Sequence, residues 1–469
     1  MFSTHFVMIR TVVLLLLLLL LAGSLVWFRE RMLFADPGFM TFTLLNKGRF
    51  AIQEYRYGAW ITQLIPLLGG WLRAPLPVIL AAYSAGFYLF YTVTALLLFR
   101  FRQPELALLL VLYLTLQVTD GWFWPNNEVH QGIAWMLLAL GWLRSGTAER
   151  SAVLRYGLFF LLSFFALFSH FLVALPFFFL WSWWRVAGSL PPLSGRTRTL
   201  LTAGLLALFA VKYYLGTRGW YDGPKLEGIR RLRPEQILEL FHTGHWRSMA
   251  PLFITRYATT LLLLAGGALA LVRKRQWVLL AGTILTLLLY ILLTGLTFPD
   301  AFGRDLLFYM ESQWMAAGLI AAVPFVYAVL PRLRTVTATW VLGLVFLVRL
   351  GWIAASQPLF AERYKAVAQI CHTLHSKGIH NGLLVKDRPV AGAFLADWGT
   401  PVESLLYSAL QGWEPQVSFQ LVEPGAGTDS GRFQSCFESM PYGALNRRYF
   451  RPDSLQPYRV LPLSEVWVP

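Results

Sequence analysis

Residues 11–28, TVVLLLLLLLLAGSLVWF, followed by RERMLFADPGF over 29–39, decide how this chain is organised. The first stretch carries no charge and approaches the ~17 to 25 residues with which a helix crosses a bilayer. It is longer than the ~7 to 15 residues of a signal-peptide core, and no small-residue cleavage site follows it. We therefore predict a retained membrane anchor that ends shortly before a lone carboxylate, Asp36.

The composition of the whole chain is that of a membrane protein. Hydrophobic residues make up 57%, the mean hydropathy is +0.54, and charged residues make up 14%, against roughly 25% in a soluble domain. The formal charge of +16 does not indicate nucleic-acid binding, because the basic residues form short clusters between apolar runs. We expect membrane lipids and no nucleic acid among the partners.

The apolar runs predict an α-helical polytopic protein with about eleven transmembrane helices. Basic clusters in five loops fall on one side, which the positive-inside rule makes cytoplasmic. This places the N-terminus inside, and Asp36 and the C-terminal tail outside. The predicted spans lie near 11–28, 76–99, 104–120, 128–143, 152–168, 171–187, 199–215, 251–272, 277–297, 313–330 and 336–355.

Two domains follow from this layout: a transmembrane domain over 1–355 and an external, soluble domain over 356–469. In the tail, YKAVAQICHTLHSKGI predicts an amphipathic helix ending at Gly378, and GLLVKD predicts a strand, which together indicate a small α/β domain. Cys371 and Cys436 fit either two free thiols or one disulfide in an oxidising compartment. Their surroundings lack the Cys/His spacing of a metal site, so no metal ligand is predicted.

Asp36 has two interpretations. It is either a solvated interfacial carboxylate or cap of a helix over 37–46, or a general base near a lipid phosphate. A second group follows in IQEYRYGAW, where Glu54, Arg56 and Tyr57 are candidate substrate-binding residues. The Arg56 guanidinium matches phosphate oxygens in pairs, although an interfacial anchor within an aromatic belt explains the same pattern.

Later external loops supply further candidates. DGWFWPNNEVHQ places Glu128 and His130 at the mouth of the fourth predicted span, where a carboxylate is costly unless it faces a cavity or partner. Capping of that helix is the structural alternative. His170, at a break between two apolar runs, and Arg304, in an external charged cluster, are candidate substrate-binding residues; a helix-break residue and a solvated loop are the respective alternatives.

The order of these features resembles the membrane glycosyltransferases of the C-type superfold (GT-C), especially the bacterial relatives of the protein mannosyltransferases and of the lipid A aminoarabinose transferases. That family carries a catalytic acid in the first external loop, which matches Asp36. It often places another acid at the start of the fourth span, which matches Glu128 in NNEVHQGIAWMLLALGWLR. FFALFSHFLVALPFFFLW is similar to its short fifth and sixth spans. The resemblance covers about residues 1–190 in pattern.

The resemblance implies a GT-C-like enzyme of the bacterial inner membrane, with its C-terminal domain in the periplasm. It would move a sugar from a polyprenyl-phosphate-linked donor to a lipid or glycan acceptor on the external face. Asp36 would deprotonate or orient the acceptor hydroxyl, and Arg56 or another external cation would stabilise the leaving phosphate. Many members carry two adjacent acids in the first loop, whereas Pro37 follows Asp36 here, so metal use stays open; no cofactor is implied.

Three other functions stay open. A polysaccharide polymerase or ligase of the O-antigen type would suit the basic loop over 216–250. A lipid or sugar transporter would predict repeated halves with charged or Gly/Pro-broken mid-membrane helices; the sequence shows no such halves, and transport does not need the external tail. An assembly or scaffold protein is also compatible. The loop residues that favour the polymerase are Arg230, Arg231, Arg233, His242 and His245.

Overall fold

The chain is mostly helical, and its few strands lie in the C-terminal part. The computed structural model describes residues 4–145, 151–189, 193–230, 235, 242–297, 303, 306–387, 393–425, 432–435 and 438–468. Arg304, Cys436 and most of the loop sequence PEQILELFHTG lie outside these residues. The helices are α1 (Thr4–Val26), α2 (Phe28–Met32), α3 (Ala35–Lys47), α4 (Trp60–Trp71), α5 (Leu76–Arg100), α6 (Pro104–Tyr113), α7 (Glu128–Arg144), α8 (Ala152–Leu167), α9 (Ala174–Val186), α10 (Gly195–Gly216), α11 (Asp222–Arg230), α12 (Gly244–Ile254), α13 (Ala258–Arg273), α14 (Trp277–Thr297), α15 (Leu307–Pro324), α16 (Thr335–Ser376) and α17 (Thr400–Leu410).

Six helical segments among the described residues are long and apolar enough to cross a membrane. They are α1, α5, α10, α14, the segment Leu307–Arg332 that contains α15, and α16. The pair α12 and α13, bent by 73° at a short break, adds a seventh if it forms one span. The expectation of about eleven spans is therefore not confirmed. Four of the predicted spans are helices of 10, 17, 16 and 13 residues (α6 to α9), of which α7 lies at the lower end of the usual spanning length and the other three lie below it.

One predicted span is interrupted where a distant arginine donates hydrogen bonds to backbone carbonyls that a continuous helix would pair internally. The run over 104–120 ends as a helix at Tyr113, and the chain continues as buried turns. Arg349 on α16, itself buried, donates from Nε to the carbonyl of Thr115 (2.9 Å) and from Nη2 to that of Val118 (2.8 Å). Backbone outside a helix is tolerated at membrane depth when other protein groups satisfy it in this way.

The first apolar helix, α1, is followed after α2 by a short buried helix that carries the first candidate acid. After α1 and α2 the chain turns at Phe34 and enters α3, most of which is buried. Phe34 holds the N-cap position, and Asp36 lies in the first helical turn, so it does not cap a helix over 37–46. Gly48 ends α3 in the left-handed conformation (φ +62°), and its N–H donates to the carbonyl of Leu44.

The C-terminal part contains the small α/β region that the sequence predicts. The long helix α16 runs unbroken across the predicted boundary at residue 355, and Gly378 follows its end with φ +63°. The strand predicted in GLLVKD is β1 (Asn381–Val385), the centre of a parallel sheet with β2 (Ser418–Val422) and β5 (Arg459–Pro462). Helix α17 connects β1 to β2 and packs on β2, and a short antiparallel pair joins β3 (Phe433–Gln434) to β4 (Ser439–Met440). The division at residue 355 stays a prediction.

Candidate functional site

A polar cavity of about 740 Å³, partly open to solvent, brings together side chains that are distant in sequence. Its wall comes from α3, the segment around Glu54, the loop before α7, the start of α11, and α15. Both predicted catalytic acids, Asp36 and Glu128, line it. So do Glu54, Arg56 and His170 of the predicted substrate-binding residues.

Asp36 has the electrostatic character of a side chain that exchanges protons near neutral pH. Its carboxyl reaches the cavity surface, but its surroundings are dense protein, and this loss of hydration raises its pKa to about 7. The negative charge of Glu128 acts in the same direction, whereas Trp124 and the positive charge of Arg56 act against it. A carboxyl with a pKa near the working pH is suited to act as a general base.

The position of Asp36 depends on an ion pair in the C-terminal region. The backbone N–H of Ala35 donates to Glu403 Oε1 at 2.7 Å. Arg363 on α16 donates to both carboxylate oxygens of Glu403 on α17, at 2.8 and 3.1 Å, and all three residues are buried. Ala35 has φ +40°, a conformation that residues with a side chain adopt rarely, so its surroundings must hold it there.

Arg56 forms the centre of a charged cluster beside Asp36. Its Nη1 donates to Glu128 Oε2 (2.9 Å) and its Nη2 to Asp222 Oδ1 (2.8 Å), both in largely buried pairs. Burial alone would lower the pKa of Arg56, but Glu128 and Asp222 raise it above its ordinary value, so the guanidinium is permanently charged. The Nη1 and Nη2 donors of Arg56, which the sequence assigned to a phosphate, therefore bond to two carboxylates.

Glu54 links the cluster to the segment before α11. Its carbonyl accepts a hydrogen bond from Lys212 Nζ (2.7 Å), and its Oε1 accepts one from the N–H of Tyr221 (3.0 Å). Lys212 also lies 4.0 Å from Asp222 Oδ2. Glu54 thus helps to position the elements that carry Arg56 and Asp222 around the cavity.

Two predicted binding residues lie outside the cavity lining, and one lies outside the described residues. Tyr57 is 40% exposed, and its ring stacks on Phe164 with centroids 6.0 Å apart. His130 is buried on α7 and hydrogen-bonds to the hydroxyl of Tyr113 at 2.7 Å. Because Tyr57 packs against Phe164 and His130 bonds to Tyr113, neither side chain lines the cavity. Arg304 is not among the described residues.

A second, mostly apolar pocket adjoins the polar cavity. Phe171, Leu172, Leu226 and Leu293 supply its apolar surface, the last from the end of the membrane-spanning helix α14. His170 and Lys225 line both cavities, whereas Asp222 lines this pocket. The Nδ1 atom of His170 accepts from the N–H of Leu172 at 3.2 Å, which fixes its ring at the junction.

Sequence reasoning missed two of the charged residues, Asp222 and Lys225. Both come from GWYDGPK over 219–225, where Asp-Gly-Pro is typical of a turn and therefore predicts a loop, not a binding site. The combination of aromatic, acidic and basic residues there is the same as in IQEYRYGAW. That shared pattern was the available signal.

A buried carboxylate binds the backbone of the loop that precedes Glu128. Glu311 on α15 accepts backbone N–H donors from Thr119 (2.8 Å) and Gly121 (2.6 Å) through Oε2. The hydroxyls of Thr119 and Tyr257 donate to its Oε1. These bonds fix the residues that precede the cavity wall from Trp124 onward.

The arrangement suits proton transfer beside a bound anion. One carboxyl titrates near neutral pH, a second is paired with an arginine, and a lysine lies at the junction with an apolar pocket. Within the described residues, no group of three or more His, Cys, Asp or Glu side chains is arranged to hold a metal ion. Comparison with known proteins assigns no family to the chain, since no family model, no curated protein and no solved structure matches it.

Proposed function

We propose that this chain is an integral-membrane glycosyltransferase of the GT-C type. It moves a sugar from a polyprenyl-phosphate donor to a lipid or glycan acceptor on the external face. The observation that carries the proposal is the junction of the polar cavity with the apolar pocket at His170 and Lys225. A polyprenyl-phosphate sugar has a polar head and a long apolar tail, and the two cavities fit these parts in that order.

The residues then have distinct roles in one displacement. The acceptor hydroxyl oxygen attacks the anomeric carbon, its proton passes to Asp36, and the bond between that carbon and the phosphate oxygen breaks. Lys225 stabilises the negative charge on the departing polyprenyl phosphate. Burial, together with the negative charge of Glu128 that Arg56 holds in place, keeps the pKa of Asp36 high enough for proton transfer near neutral pH.

A transfer assay with the purified chain in lipid vesicles tests the function. Vesicles carry a panel of labelled polyprenyl-phosphate sugars, and release of polyprenyl phosphate is followed together with the product. Lys225→Gln is expected to lower turnover as well as donor affinity, because Lys225 contacts the phosphate in the bound donor and the negative charge on that phosphate grows as it departs. Failure of the wild-type chain to bind polyprenyl phosphate, with or without a sugar, would contradict the proposal.

The rate of transfer is expected to rise with pH through about 7. Only the ionised form of Asp36 accepts a proton, and its pKa lies at about 7. The assay measures kcat/KM for the donor between about pH 5 and 9, where the ascending limb of the profile reports the base of the free enzyme. A flat profile, or one that falls over this range, would remove Asp36 as the base.

The proposal includes an orientation in the bacterial inner membrane, with the N-terminus cytoplasmic and the C-terminal part periplasmic. Ser454→Cys is expected to react with a membrane-impermeant maleimide in intact cells, whereas Gln276→Cys, beside a basic cluster, reacts only after lysis. Both variants carry Cys436→Ser, and Cys371 is buried. Labelling of position 276 but not 454 in intact cells would reverse the orientation.

A further inference from the structure

A groove distinct from the candidate site lies where the C-terminal part meets the start of α5. It measures about 1080 Å³ and is largely open. One wall is the turn from Arg73 to Pro77, and the other comes from residues 409–416 and 448–451. Three arginines line it, Arg73, Arg448 and Arg451. The groove shares no lining residue with the polar cavity or the apolar pocket.

The groove carries a net positive charge that the described residues do not neutralise. Arg451 pairs with Glu414, the carboxylate of the lining, and both are exposed. Arg73 and Arg448 have no carboxylate partner among the described residues. Within the described residues, the guanidinium of Arg73 and the donors of Arg448 other than Nη2, which bonds to the Arg73 carbonyl, therefore remain for an anion from outside the chain.

Hydrogen bonds from side chains of one wall to backbone carbonyls of the other hold the two walls together. Arg448 Nη2 donates to the carbonyl of Arg73 at 2.9 Å, and the hydroxyl of Tyr449 donates to the carbonyl of Ala74 at 3.2 Å. Arg73 has φ +60°, a left-handed conformation that a non-glycine residue adopts rarely. The arginines are thus presented by an ordered junction of two segments.

Neighbouring side chains place the groove at the membrane surface. The membrane-spanning helix α5 begins at Leu76, directly after the turn. At the end of α4, Leu68, Trp71 and Leu72 are 47%, 59% and 79% exposed. Exposed tryptophan and leucine beside arginine, at the end of a span, are typical of the interface where lipid headgroups meet acyl chains.

We propose that this groove binds the phosphate of an anionic lipid headgroup. A guanidinium presents paired N–H donors that match phosphate oxygens, and basic pockets at the ends of transmembrane helices bind anionic headgroups. A lipid is the source of the phosphate because Trp71 and Leu72 offer an apolar surface to its acyl chains. The inference is independent of sugar transfer.

Lipid binding to the full-length chain tests the proposal. The detergent-solubilised protein is titrated with phosphatidylglycerol or with phosphatidylcholine, and bound lipid is counted by native mass spectrometry. Arg73→Gln and Arg448→Gln are each expected to weaken phosphatidylglycerol binding roughly five- to tenfold. Arg102→Gln is the matched control, since Arg102 is exposed, has φ +58° and follows the other end of α5.

Three results would overturn the proposal. Equally tight binding of phosphatidylcholine and phosphatidylglycerol would leave only an apolar lipid contact. Equal weakening of binding by Arg102→Gln and Arg73→Gln would show diffuse attraction to charge. Complete displacement of the lipid by inorganic phosphate at matched concentration would show a site for free phosphate. Arg73 is exposed and makes no side-chain contact that folding requires, so its variant stays informative even if Arg448→Gln fails to fold.

Discussion

Replacing Asp36 with asparagine is expected to reduce sugar transfer by about 10²- to 10⁴-fold while the protein stays folded. Asparagine keeps the shape of the side chain but removes its charge and basicity. The acceptor hydroxyl then has no group to which its proton can pass. The measurement is turnover in vesicles at saturating donor, together with donor affinity, which should change little.

The same substitution is not expected to destabilise the protein at neutral pH. Because folding raises the pKa of Asp36 from 3.8 to about 7, the folded state binds more protons between these values than the unfolded state. Stability contributed by this group therefore falls as pH rises from about 4 to 7. Asparagine does not titrate, so the Asp36→Asn variant does not lose folding stability in this way, and it should be at least as stable as the wild type near pH 8.

Asp453→Asn is the matched control for Asp36→Asn. Asp453 accepts backbone N–H donors from Leu455 and Gln456 in the C-terminal part, and asparagine accepts the same bonds. Its variant should retain transfer. Near-normal transfer by Asp36→Asn would make Asp36 structural, and loss of transfer in Glu128→Gln alone would place the base on the second external loop.

Arg363→Met is expected to lower the free energy of unfolding by about 3 to 5 kcal/mol. The substitution leaves Glu403 buried without its cation, in contact with the N–H of Ala35. Removing one partner of a buried ion pair costs far more than the pair contributes, because the remaining charge is uncompensated. Denaturant unfolding in detergent micelles, followed by tryptophan fluorescence, provides the measurement.

An exposed pair and a double variant separate this effect from simple loss of an arginine. Arg451→Met breaks an exposed pair with Glu414 and should cost only about 0 to 1 kcal/mol. Arg363→Met combined with Glu403→Leu should recover part of the loss. About 1 to 3 kcal/mol should remain, because the buried N–H of Ala35 loses its acceptor. Equal losses in the two single arginine variants would contradict the account.

The predicted number of spans is not confirmed, because hydropathy measures composition along the chain and not where a helix stops. The run over 104–120 is apolar throughout, yet its helix ends at Tyr113. The carbonyls that a longer helix would bond internally accept hydrogen bonds from Arg349 on α16. A partner more than 200 residues away carries no local signal.

The sequence predicted only part of the candidate site, because contacts between distant segments leave no local signal. An acid after the first span and another before the fourth predicted span were visible as isolated charges beside apolar runs, and both line the cavity. Arg56 was visible too, but its pairing with Asp222, 166 residues away, was not. That pairing turns Arg56 from a free phosphate ligand into the cation that holds Glu128 next to Asp36.

The sequence by itself determined the first apolar helix, the membrane class, a strand within GLLVKD and the acids at the ends of the apolar runs. Length, hydropathy and alternation are local properties, and the bilayer and the backbone impose them on each segment separately. Only the tertiary structure decided which helices are broken, which cation each carboxylate meets and how far burial raises the pKa of Asp36. Those properties depend on the distance and dielectric between groups from remote segments, which exist only once the chain has packed.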